Sequence, residues 1–98
     1  MEREIVVSKR FLNRTLQVCE YLNKKFSSKT ALLFLERVEE RLELVSKYPT
    51  IGKKSLNKEG IRSILLNPHH LIFYRVSKNR VEIVDLFDMR QDPEKRPY

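Results

Sequence analysis

The sequence predicts an α+β fold: an N-terminal strand and an antiparallel helix hairpin packed on a four-stranded, mainly antiparallel sheet. Three observations carry the prediction. Strand-like apolar runs crowd the last third of the chain, a helical apolar period governs the stretch between Ser8 and Tyr48, and proline and glycine punctuate the join between them.

The sheet comes first because the helices need a surface to cover. Ile61-Arg62-Ser63-Ile64-Leu65-Leu66 is broken by Asn67-Pro68-His69-His70, since proline cannot donate to a ladder and Asn-Pro starts turns. Leu71 to Val76 follows, rich in branched and aromatic residues that suit a pleated surface. Ser77-Lys78-Asn79-Arg80 reads as a polar turn with Asn79 suited to positive φ, and Val81 to Asp88 returns. Ile5-Val6-Val7 is a short β-branched run expected to join this sheet. Ser8 then offers a helix N-cap, and Phe11, Thr15, Val18, Leu22 and Phe26 form an apolar stripe widened by Leu12, Leu16 and Cys19. Arg10, Asn13, Arg14, Gln17 and Lys24 fall on the opposite, solvated face. Ser27-Ser28 supplies a second cap. Ala31, Phe34, Leu35, Val38, Leu42 and Val45 trace the second helix, which Tyr48-Pro49 ends. So short a link predicts an antiparallel hairpin. Glu43 four residues before Lys47 is the favourable order for a helix-surface pair. Thr50 to Gly60, with a turn at Gly52, reads as a lysine-rich loop.

With 98 residues there is room for a single domain, 1–98, and a chain of this size buries roughly 60 to 65% of its unfolded surface. No apolar run approaches the roughly 18 residues that would span a bilayer, and no signal-like apolar region follows Met1. The expectation is a cytoplasmic protein without a membrane partner. The single cysteine, Cys19, allows no internal disulfide and no cysteine-based zinc cluster. With two glycines there is no glycine-rich phosphate cradle, and no cofactor or metal is expected. His69 and His70 are adjacent in a turn, where their side chains point different ways. Either one at the sheet rim has a pKa suited to general acid–base work. The net charge of +7 suits an anionic partner, RNA, DNA or an acidic polypeptide. Basic residues are spread over both halves, so any patch must be assembled by folding.

The order strand, helix hairpin, basic loop, three-strand meander and Arg90-Gln91-Asp92-Pro93 exit resembles the RelE/ParE superfamily of toxins from bacterial type II toxin–antitoxin modules. The resemblance covers nearly the whole chain. It is carried by Tyr48-Pro49 with Gly52, by Leu71 to Val76, and by Val81 to Pro93. It implies a growth-inhibiting toxin held silent by a cognate antitoxin. The target it implies is either the ribosome with its mRNA, cleaved by a metal-independent endoribonuclease, or DNA gyrase, poisoned by binding; a further alternative is a catalytically degenerate member of the superfamily. For the nuclease, Lys53 and Lys54 match the family's loop lysines and Arg90 matches its late arginine. Leu71 stands where an arginine is common, with His70 just before it, and the aromatic or histidine expected after Arg90 has no counterpart. Cleavage by a 2′-hydroxyl needs a base, an acid and cations around one phosphate. Arg62, alternating with Ile61, adds a cation from the first meander strand. The expected catalytic set is therefore Lys53, Lys54, Arg62, His70 and Arg90, converging on one concave side of the sheet. The alternative is that these are scattered surface charges, with Arg90 paired to Asp88 or Asp92.

Overall fold

The computed structural model describes residues 2–91, 93–96 and 98. Strand β1 (Glu4–Val7) leads into helices α1 (Lys9–Lys25) and α2 (Ser28–Lys47), then β2 (Lys53–Lys54), β3 (Ile61–Asn67), β4 (His70–Val76), β5 (Arg80–Asp88) and a 3-10 turn at Pro93–Lys95. The sheet has five strands in the order β1-β5-β4-β3-β2. The extra strand is the two-residue β2, which forms inside the segment expected to be a loop and pairs antiparallel with β3. The meander is antiparallel throughout, and β1 lies parallel to β5, with Ile5 opposite Val81.

Both helices start where a serine can satisfy an orphan N–H. Ser8 accepts from Phe11 N at 3.0 Å while its hydroxyl donates to Val84 O at 2.7 Å, so one side chain caps α1 and ties it to β5. Ser27 accepts from Thr30 N at the start of α2. The hairpin buries Phe11, Phe34, Val38 and Val45 against Leu66, Ile72, Tyr74, Val81, Ile83 and Leu86 on one sheet face. The apolar stripe of α1 is narrower than its sequence suggests. Leu12 and Leu16 are half exposed and Phe26 is largely exposed, because α1 rests on β5 through Phe11 and Thr15, with Val18 and Leu22 partly covered.

The opposite sheet face is also covered, which the sequence did not foretell. Ile61, Leu71, Phe73 and Phe87 lie beneath Tyr98, whose ring centroid stands 4.8 Å from that of Phe73. Arg96 lies over the same ring, Lys58 lies over Tyr98, and Ser55 Oγ donates to Tyr98 O at 2.9 Å. The C-terminal segment therefore straps the β2–β3 connection to the sheet.

Two local features differ from expectation. The β4–β5 turn closes by Ser77 N donating to Arg80 O, and Asn79 does not adopt positive φ; among the described residues only Gly60 does. In β5 the register slips by one residue, since Phe73 faces Asp85 while Tyr74 faces Ile83. Val84 is thus a bulge residue, and the inward-facing set changes parity from Val81 and Ile83 to Leu86.

Candidate functional site

The five expected site residues fall into two groups. Lys53, Lys54 and Arg62 sit at the β2 edge. Lys54 pairs with Arg62 and Lys53 with Ser63, so the two lysines, both exposed, point to opposite faces of the sheet. Arg62 is engaged: its Nη1 donates to Thr50 O at 3.2 Å and to Gly52 O at 2.8 Å. Tyr74 clamps the same loop, its hydroxyl donating to Pro49 O and accepting from Gly52 N, both at 2.8 Å. Gly52 is required there because a Cβ would collide with the Tyr74 hydroxyl and lie 2.8 Å from Ser63 O.

His70 and Arg90 stand at the other end of the meander. His70 lies three residues along β4 from the Phe73–Ser63–Lys53 row, and two strand spacings separate the strands, so its Cα is about 14 Å from that of Lys53. The strand register thus sets the two groups at opposite ends of the meander. His70 is buried, in contrast to exposed His69, so the two rings do point different ways. Its Nδ1 is 3.1 Å from Asn67 Oδ1 and its ring meets Phe34 edge-on. Burial pushes the His70 pKa down, opposed by the Asp88 carboxylate and aided by Arg90 and His69. Arg90 grips Asp88 with Nε at 3.0 Å and Nη2 at 2.8 Å, a bidentate pair. Those hydrogen bonds pull the Asp88 carboxyl down to about 2, against the effect of burial. Asp92, the other carboxylate considered for Arg90, lies outside the described residues.

These two residues line a cleft of about 920 Å³ between α1 and the sheet end formed by the β3–β4 turn and the exit of β5. Its α1 wall holds Arg14, Gln17 and Tyr21, side chains that the sequence assigns to the solvated face or leaves unassigned. Arg14 is fixed rather than free: Nη1 donates to Asp85 Oδ1 at 2.7 Å. Asp85 is fully buried, also accepts from Leu86 N, and has Arg10 Nη1 4.0 Å from its other oxygen. The bulge at Val84 aims this carboxylate at α1. A signal was present in the sequence: an acidic residue inside an apolar strand, where the inward alternation changes parity. Among the described residues no group of three His, Cys, Asp or Glu side chains could hold a metal ion, and no helix is long and apolar enough to cross a membrane.

Comparison with known proteins supplies the family. Residues 5–93 match the family described as ParE toxin of type II toxin–antitoxin system, parDE. The chain belongs to that family. Among curated protein sequences none matches it significantly. The toxin's fold is shared with a solved chain of the chromosomal ParDE TA system from P. aeruginosa, at TM-score 0.76 and 10% identity, covering 89% of this chain and 96% of that one. The YoeB/ParE toxin from Agrobacterium tumefaciens superposes at TM-score 0.65 with 15% identity, over 87% and 96% of the two chains. A chain of the E. coli DinJ-YafQ toxin–antitoxin complex does so at 0.64 with 9% identity, over 92% and 96%. The toxin is thus a RelE/ParE superfamily member in fold as well as in sequence.

Proposed function

We propose that this toxin inhibits growth in the cytoplasm by binding its target, in the manner of a DNA gyrase inhibitor, and that a cognate antitoxin silences it. The observation that carries the reading is the separation of its candidate groups. Transesterification of RNA needs a proton acceptor, a proton donor and cations within reach of one phosphate. Here Arg62 is spent on loop carbonyls, Arg90 on Asp88, and His70 is buried with its Cα about 14 Å from that of Lys53. A binding toxin needs only a shaped and charged surface. The match to the ParE family supports the same choice.

Ribosome-dependent mRNA cleavage is the second reading, favoured by the exposed Lys53–Lys54 edge and by fold neighbours that include YoeB and YafQ. In that reading Lys53, Lys54, Arg62, His70 and Arg90 act together once the ribosome completes the site. An antitoxin with a disordered, acidic and apolar tail suits the net charge of +7 and the neighbours solved as toxin–antitoxin complexes. Toeprinting on translating ribosomes with the purified toxin separates the two readings: the binding toxin leaves mRNA intact, whereas new cuts establish the nuclease.

A further inference from the structure

The sheet is left open along part of β3. β2 pairs with β3 only through Lys53 and Lys54, opposite Ser63 and Arg62. Gly52, just before it, is held off the ladder, its N–H on the Tyr74 hydroxyl and its carbonyl on Arg62 Nη1. Among the described residues no strand lies beside Ile64 to Asn67 on that side. The antiparallel alternation turns the backbone of Ile61, Ser63 and Leu65 outward here. Ile61 O accepts from Ser55 N and Ser63 faces Lys53, whereas Leu65 O accepts from the side chain of Arg41, Nε at 3.0 Å, in place of a strand. A trough of about 540 Å³ follows this edge. Leu44 and Ile64 line it on the helix side of the sheet, Leu65 and Leu71 on the other. Leu65 and Ile51 stand 53% and 52% exposed, aliphatic side chains left in water beside an unpaired ladder.

The charge of the trough is unbalanced. Arg41 and Lys53 both line it, and among the described residues neither has a carboxylate at ion-pair distance. In the α1 cleft, by contrast, Arg14 is balanced by Asp85 and Arg90 by Asp88. The free attraction for an acidic protein group therefore lies at the β3 edge. No aromatic side chain lines the trough, so nucleobases have nothing to stack on, while a polypeptide finds open backbone groups and aliphatic walls. A second copy of this chain would bring its own Arg41 and Lys53 against these two, like charge on like. The free edge extends only from Ile64 to Asn67, and ordering a disordered tail costs entropy that so few contacts do not offset. An occupant that is already extended, an edge strand or loop of a folded protein, escapes that cost.

We propose that this edge is the surface by which the toxin grips its target, taking an extended acidic segment of DNA gyrase as a short added strand beside Ile64 to Asn67. Alternate side chains of that segment meet Leu44 and Ile64 on one side of the sheet and Leu65 and Leu71 on the other. Its carboxylates meet Lys53 and Arg41, and Arg41 turns away from Leu65 O to reach them, which frees that carbonyl for the ladder. The inference rests on the gyrase-binding reading above and gives it a surface.

The test is binding of the purified toxin to immobilised DNA gyrase holoenzyme, each variant first shown to unfold cooperatively like the wild type. Leu65→Pro removes the outward N–H, a change that an edge strand tolerates, and weakens binding by about tenfold or more. If Leu65→Pro does not fold, Leu65→Ala takes its place. Lys53→Glu weakens binding by reversing the charge, and its effect shrinks as salt is raised. Lys78→Glu, the same reversal at the exposed β4–β5 turn, changes binding by less than about twofold. Wild-type affinity in both the Leu65 variant and Lys53→Glu overturns the edge assignment while the gyrase reading stands. No binding by the wild type overturns edge and gyrase reading together. If the Leu65 variant keeps its affinity for gyrase but loses it for the product of the adjacent reading frame, the edge belongs to the antitoxin and the proposal fails. It fails likewise if that variant binds gyrase normally but dissolves a dimer of the toxin.

Discussion

The hydroxyl of Tyr74 serves two backbone groups at once, Pro49 O and Gly52 N, and both are buried with it. Tyr74→Phe keeps the ring and strands both partners. It should cost about 2 kcal/mol in urea unfolding, because an unmet buried polar group costs roughly 1 to 3 kcal/mol. His70 makes a prediction of the opposite electrical kind. Its folded pKa lies below the ordinary 6.5, so protonation favours the unfolded chain. Its contribution to stability is complete above about pH 6.5 and is lost as pH falls toward the folded value. NMR titration of its ring should give a midpoint below that of free histidine, and an undepressed midpoint would refute the buried placement. Asp88 adds a second acid-side loss. Its folded pKa is depressed from 3.8 to about 2, so the stability it contributes is present above about pH 4 and is lost between there and pH 2. The pair is solvent-exposed, which keeps that contribution below about 1 kcal/mol. Urea midpoints measured across this range should shift less in Asp88→Asn than in the wild type.

At the scale of elements, most of the fold was legible. β3, β4 and β5 match the expected runs to within a residue, both caps fall on the expected serines, and Lys47 meets Glu43 at 3.2 Å. Ser8→Ala removes a cap and a tie to β5 together, and it should lower stability by about 1 to 2 kcal/mol, read as a drop in the thermal midpoint. What escaped the reading has physical causes. β2 is two lysines long, and periodicity has nothing to register in so short a strand. The width of a helix's buried stripe depends on how closely the sheet approaches it, which is why Leu12, Leu16 and Phe26 look buried in sequence and are not. The strap formed by Tyr98 depends on a tertiary return of the chain that no local pattern encodes. The site was the least legible part, since residue type identified Arg62 and Arg90 as cations while their partners, loop carbonyls and Asp88, set what they do.

Over the whole molecule, helices on one face and the C-terminal strap on the other leave the β2 edge and the α1 cleft as distinct surfaces. A catalytic account requires these distant groups to cooperate, and a binding account does not. Loss of one transition-state cation typically costs about 2 to 4 kcal/mol of barrier stabilisation. A double variant Lys54→Ala and Arg90→Ala would therefore cripple a nuclease, whereas the binding reading expects growth inhibition to change by less than tenfold, or about 1.4 kcal/mol. The most direct measurement is a supercoiling assay in which purified toxin is titrated against a fixed concentration of DNA gyrase. A binding inhibitor gives inhibition that rises with toxin and saturates once the gyrase is fully bound; full supercoiling at excess toxin, with cuts in translated mRNA at toxin levels far below those of ribosomes, would contradict it.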